Sequence, residues 1–382
     1  MALLTRVMAL LAATEATYGV APAADQFKGI LCNSGSEISP TGDKIERDTV
    51  RSTFSPAASK MGAKRQQLTV TTELRGGGLG VGGEVLPPDY APFLLACGMQ
   101  ATAVVRLTLT DDDGGKFAIG EAITSGTATG TLHHIDARTL VLSGVEGTFA
   151  EAEIVTGGLQ GATATVAAGG VAPGLEYRPV TARVEVQKSA CVKYHKDSIL
   201  HQIVGARGTA VIDCQVGKIP TIKWTLTGLW ADPAAAVLPN PDLTDLSGPV
   251  FVNAGVVIGA YEPIISALSL DIGNTIAERV SANGADGLLA QYISGRRSTG
   301  SLDPEVDALA AYNPWVAWKD ATPARIAATI GNVPGNRIRL EVPQAANEDL
   351  KYGERNGLAT YQQPFVASID RDGDDEWRIT FF

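Results

Sequence analysis

The chain has 382 residues, 45% hydrophobic and 19% charged, a globular composition long enough for two or three domains. Acidic residues outnumber basic ones 41 to 31, and the resulting net charge of −10 repels phosphate backbones and argues against sequence-specific DNA binding. No stretch approaches the roughly 18 consecutive apolar residues of a membrane-spanning helix.

Taken in chain order, Met1 to Ala13 holds an apolar run after Arg6 that is too short, and too poorly followed, for a signal peptide; a short helix or arm is expected. From Leu68 to Arg75 the pattern alternates, with Leu68, Val70, Thr72 and Leu74 on one face and Thr69, Thr71, Glu73 and Arg75 on the other. That is a strand of an antiparallel sheet with one wet side. The glycine run Gly76 to Gly83 contains a formal G-x-G-x-x-G at Gly78, Gly80 and Gly83. Pro87-Pro88 stands where a phosphate-binding helix has to begin, so the run reads as a flexible loop. Pro88 to Cys97 is expected to be a short helix stopped by Gly98.

Residues 103–174 are rich in Gly, Thr and Ala and carry an internal repeat: Gly115-Lys-Phe117, Glu121, Thr124 and Gly126 match Gly147-Thr-Phe149, Glu153, Thr156 and Gly158 at constant spacing. They read as an inserted β-module. Alternation returns in Thr221 to Thr227, in Arg337 to Val342 and in Glu376 to Phe382. Between them, Pro- and turn-rich sequence from Ala231 to Gly248 reads as a linker. Asp303 to Tyr312 is expected to form a second helix, begun by Pro304 and ended by Asn313-Pro314. The chain is therefore mainly β, with about one helix per half. The expected organisation is a discontinuous first domain (1–102 and 175–235), the module (103–174), a linker (236–247) and a second domain (248–382).

Enzyme chemistry finds little support. Cys32, Cys97, Cys191 and Cys214 form no C-x-x-C pair and read as buried thiols. His133 and His134 are adjacent in a strand and are expected to point to opposite faces. Ser198 and His201 lack an orienting acid. Asp370 to Glu376 opens like a calcium loop but places its glycine too early, so a hairpin turn at Asp372-Gly373 is the better reading. No catalytic, cofactor-binding or metal-binding residue emerges, and no cofactor is implied.

Several short motifs carry a resemblance. Thr14-Glu15, Tyr18-Gly19, Ile45-Glu46-Arg47-Asp48, Leu94-Leu-Ala-Cys97-Gly98 and Glu176-Tyr177-Arg-Pro179 occur in order in the first half. Ile203-Val-Gly205-Ala-Arg207-Gly208, Gly217-Lys-Ile-Pro220, Leu226-Thr-Gly228-Leu229-Trp230, Ser269-Leu-Asp271-Ile-Gly273-Asn274 and Gly300-Ser-Leu-Asp303-Pro304 follow. Together they resemble the major tail (tail tube) proteins of long-tailed, non-contractile bacteriophages.

The resemblance implies two tail-tube-type β-sandwich or barrel domains, each with a short helix, plus the β-module on the outside. It implies protomers joined into a ring with a central β-barrel, and stacked rings that form the conduit for DNA. Implied partners are further copies of the chain, tape measure, tail terminator and distal tail proteins, and phage DNA passing non-specifically. Assembly in the host cytoplasm and residence in the virion, without membrane contact, go with them. Thr69, Thr71, Glu73, Lys223, Thr225, Ser269 and Asp271 are the candidates for the lumen, and Glu46, Arg47 and Asp48 for contact with the next ring. Two tube-type halves favour a trimeric, pseudo-hexameric ring over a hexamer. The competing reading is a carbohydrate-binding or adhesion protein with the repeat module as binder, for which the aromatic content of 6% is low.

Overall fold

The computed structural model describes residues 7–284 and 286–382. Strand Glu37–Ile45 forms a long hairpin with Lys60–Glu73, which pairs on its other side with Thr221–Leu229. That strand pairs with Ile199–Gln215, whose second part pairs in turn with Ala267–Asp271. The sheet continues through Thr299–Leu302, Leu358–Ala367 and Ile338–Asn347. From there it turns back through Arg378–Phe381 and Thr163–Pro179 to Met99–Leu109. The architecture is mainly β, as the short alternating runs require.

Alternation decides which side is dry. Leu68, Val70, Leu74, Ile222, Trp224 and Leu226 are buried, and the residues between them stay partly exposed. Thr72 lies on the dry side because its Oγ1 accepts a hydrogen bond from Trp224 Nε1 at 3.0 Å. Tyr90 and Phe93 pack on the Trp224 ring at centroid distances of 5.7 and 5.6 Å. One core runs from Leu10 through Trp224 to Phe381 and so draws on both halves; the module has a separate core around Phe117, Leu142 and Phe149.

Short motifs that are far apart in sequence meet at a bend in Ile199–Gln215. A bulge between Val204 and Arg207, with Gly205 at φ +63°, lets the first part of this strand join Ala190–Lys196 while the second part joins the main sheet. Glu15 accepts from the amides of Gly19 (2.8 Å) and Gly205 (2.7 Å). Arg207 is buried over the Tyr18 ring, 4.6 Å from its centroid, and donates to the carbonyls of Lys188 (3.1 Å) and Gln291 (2.6 Å).

Four local expectations need correction. Residues 8–14 form a strand, Met8–Thr14, because Ala190–Lys196 and Lys28–Gly29 pair with its two sides; the start of the expected helix or arm lies outside the described residues. The first helix is Ala91–Ala96, but the second is Pro314–Lys319 rather than 303–312. The Asn313 side chain accepts from Val316 N (3.2 Å) and Pro314 sits in the first turn, so this Asn-Pro pair begins a helix instead of ending one. Asp303 to Val306 instead run extended beside Ala359 to Tyr361. Asp370 to Glu376 is no hairpin turn, since the flanking strands both pair with Ile338–Asn347 and not with each other.

The fourth correction concerns the module. Its repeats pair about a local two-fold, with Thr124 directly opposite its repeat equivalent Thr156. A bulge between Leu132 and His134 in strand Ala128–Asp136 turns both histidines toward the body, against the expectation of opposite faces. His133 Nε2 lies 2.8 Å from Glu176, and His134 Nε2 lies 3.1 Å from Glu341. His134 Nδ1 accepts from Arg378 at 2.8 Å, and Asp136 pairs with Arg325 (2.8 Å) and Arg339 (3.2 Å). Burial works against the Glu341 charge, yet His134, Arg378 and Arg339 hold its carboxyl well below the usual range. Burial, reinforced by Arg378 and Arg325, pushes His134 down against the pull of Glu341.

Gly76 touches the second half so closely that a Cβ there overlaps the Gly335 carbonyl. Gly76→Ala is therefore expected to destabilise the protein by about 1–3 kcal/mol, whereas Gly115→Ala, with open space around it, leaves the melting temperature unchanged. A depressed histidine contributes docking stability that is complete above its ordinary pKa near 6.5 and is lost as pH falls through the docked value. The module's attachment is thus expected to weaken between pH 7.5 and 5.5. His195 and His201 are depressed too, so the check is a smaller drop in melting temperature over that interval for His134→Gln than for the wild type.

Candidate functional site

The polar residues of five neighbouring strands fall on one sheet face. Thr69 stands opposite Thr225, Thr71 opposite Lys223 and Glu73 opposite Thr221. Across the next seam, Thr225 faces Thr209, Lys223 faces Val211 and Thr221 faces Asp213. Val211 and Asp213 face Asp271 and Ser269, which face Thr299 and Ser301. All seven residues expected at a lumen therefore share one continuous surface. Sequence reasoning missed Thr209, Asp213, Thr299 and Ser301, although the alternation of Ile212 and Cys214 with their neighbours carried the same signal.

Short-range bonds hold this surface in place. Ser269 and Ser301 hydroxyls are 2.8 Å apart, Asp271 accepts from Gly273 N (2.8 Å), and Glu73 accepts from Gly248 N (2.9 Å). Glu37, in register with Thr69, adds its carboxylate to those of Glu73, Asp213 and Asp271, against the ammonium of Lys223 and the guanidinium of Arg65, which is itself paired with Asp43 and Glu278. The face is negative and lined largely by hydroxyls. Among the described residues, Glu37–Ile45 at its border pairs on one side only, and it carries Pro40, a residue suited to an edge strand.

Two hairpins, one from each half, project beside this face. The tip 46–59 of the first leaves Glu46, Arg47 and Asp48 exposed, and among the described residues none of the three makes a side-chain hydrogen bond or ion pair. Val50 and Phe54 at the same tip are fully exposed. The second hairpin, Asn274–Val280 with Leu288–Arg296, is tied to the first by Lys64–Asp286 (3.1 Å) and Arg65–Glu278 (2.9 Å).

The other candidate chemistries meet physical obstacles. In the glycine run, the amides of Gly76, Gly78, Gly80 and Gly83 donate to Asn336, Gly335, Glu84 and Gly80, so they do not converge on a phosphate. Asp375 accepts from the amides of Asp370, Arg371 and Asp372, and Asp374 and Glu376 pair with Arg296. Among the described residues no three His, Cys, Asp or Glu side chains form a metal-binding group. All four cysteines are free, and burial pushes the Cys191 and Cys214 thiols up to about 12. Phe117 and Phe149 lie in the module's core and offer no platform to a sugar.

No curated protein matches the chain. The family model for the phage tail tube protein matches residues 5–367, from the first strand through the module to strand Leu358–Ala367. The β-rich chain, matched over nearly its whole length, belongs to the phage tail tube protein family and is a structural protein of the phage tail.

Proposed function

We propose that copies of this chain close into rings whose inner wall is the polar face of Lys60–Glu73, Thr221–Leu229, Ile199–Gln215, Ala267–Asp271 and Thr299–Leu302, and that the rings stack into the tube through which DNA leaves the phage. The observation that carries this reading is the register that aligns Thr69, Thr71, Glu73, Lys223, Thr225, Ser269 and Asp271 on one surface. Closing such sheets into a barrel removes the one-sided edge at Glu37–Ile45 and places the wet face inward. Its excess of carboxylates repels phosphates, so DNA slides without being gripped.

Ring closure by three chains fits the pairing of one projecting hairpin from each half. In this reading the tip 46–59 meets the next ring; the exposure of Glu46, Arg47 and Asp48, without side-chain partners among the described residues, supports it. The chain is made in the host cytoplasm in this reading, with tape measure, terminator and distal tail proteins as its assembly partners.

Negative-stain imaging of the purified protein tests the class: tubes or rings with a central hole are expected, with three modules around each ring. Six modules overturn the trimer. Replacing Glu46, Arg47 and Asp48 together by alanine is expected to abolish tubes and leave a folded protein by circular dichroism; normal tubes refute the role of this tip. Thr69→Lys together with Thr71→Lys is expected to give tubes that retain DNA at low salt and release it at high salt, unlike wild-type tubes. Equal retention by both removes the polar face from the lumen.

A further inference from the structure

The glycine run ends in an apolar tip that the sheet face and the hairpins leave unexplained. Its base is tied down: Gly78 N donates to Gly335 O (3.1 Å), Leu86 N to Gly78 O (2.9 Å) and Gly80 N to Glu84 O (2.8 Å). Gly78 and Gly83 adopt φ of +81° and +83°, which keeps the loop narrow and excludes most other residues there. At the tip Val81 is fully exposed and Leu79 is 45% exposed. Glu84 beside them is exposed, and among the described residues it has no ion-pair partner. A rigid loop that holds two aliphatic side chains in water is the form of a plug.

A matching socket lies at the other end of strand Arg378–Phe381. A cavity of about 550 Å³ opens between the start of Met99–Leu109, the segment after Pro179 and the base of the second hairpin. Leu95, Met99, Val180, Val186 and Ile293 give it apolar walls. Arg296 and Glu376 on its wall pair with each other, which leaves Lys188, exposed and without an ion pair among the described residues, as its unpaired charge.

One strand separates plug from socket. Glu376 lines the cavity, Arg378–Phe381 crosses the body, and Phe382 O accepts from Gly335 N, whose own carbonyl holds Gly78. The parallel path along Thr163–Pro179 agrees, with Val180 at the cavity and Gly174 against the Phe382 ring. At about 3.3 Å per residue the bases of the two features stand on the order of 20 Å apart along this strand. A chain in this arrangement does not fill its own socket, which leaves it open to a second copy placed head to tail. Repeated contacts of that kind build an open linear stack.

We propose that the loop 78–86 of one copy inserts Leu79 and Val81 into the cavity of a second copy, with Glu84 meeting Lys188 across the contact. This rests on the reading that rings stack, and it assigns the surface between them. The two surfaces complement each other in polarity and in charge.

The test uses the full-length protein. Val81→Asp is expected to raise the concentration needed for polymerisation, read by sedimentation and imaging, by about tenfold or more while the melting temperature stays unchanged. Glu84→Lys and Lys188→Glu are each expected to impair polymerisation, and the double variant to restore it. Val81→Cys combined with Ala182→Cys is expected to give, on oxidation, a ladder of covalent multimers that reductant collapses and that neither single variant forms. Val81→Asp polymerising at the wild-type concentration, with no ladder from the double cysteine variant, overturns this contact while wild-type tubes keep the tube reading intact. A wild-type protein that stays monomeric at every concentration overturns both.

Discussion

The buried guanidinium of Arg207 joins the elements on which the rest of the structure depends. It lies on the Tyr18 ring and satisfies carbonyls of Lys188 in one connection and Gln291 in the second hairpin. An arginine fits this place because its planar fork of donors serves several fixed acceptors at once and its face stacks on an aromatic ring. Glu15 works on the opposite side of the same bend through Gly19, Gly205 and the Ser189 hydroxyl. The strand Ile199–Gln215 therefore leaves the bend at a fixed angle and enters the main sheet in a fixed register.

That register has consequences across the sheet. A slip of one residue turns Trp224 and Ile222 toward water and Lys223 toward the core. Trp224 resists it through Thr72 on one side and the rings of Tyr90 and Phe93 on the other. With Trp224 fixed, Thr71, Lys223, Val211, Asp271 and Thr299 line up across four seams. The polar wall is thus the obligatory reverse side of a well-packed core. Close backbone contact at Gly76 and Gly335, and the strap 231–248 tied to Arg75 and Asn336, hold the two halves against each other.

The module is attached by different physics. Strands Met99–Leu109 and Thr163–Pro179 run from body to module, with a bulge between Val166 and Val171 where they enter it. Over this stem, His133, His134 and Asp136 form a partly buried ionic cluster with Glu176, Glu341, Arg325, Arg339 and Arg378. Such a cluster adds little net stability for the charges it desolvates, but it accepts only one orientation. The module is thereby fixed in direction relative to the body.

Period-two alternation, the repeat around Phe117 and Phe149, and the family motifs are properties of neighbouring residues, and the sequence by itself determined them. They gave the β class, the dry side of Leu68–Leu74 and Ile222–Leu226, and the seven polar residues one strand at a time. What they left open was non-local. Whether Asn313-Pro314 ends a helix or begins one depends on what holds Asp303 to Val306, which is strand Leu358–Ala367. Which way His133 and His134 point depends on one bulge, and which strands lie beside one another depends on the bend at Gly205. Local patterns reveal which face of a strand is wet; only the tertiary structure, through register and packing, decides that those wet faces form one wall.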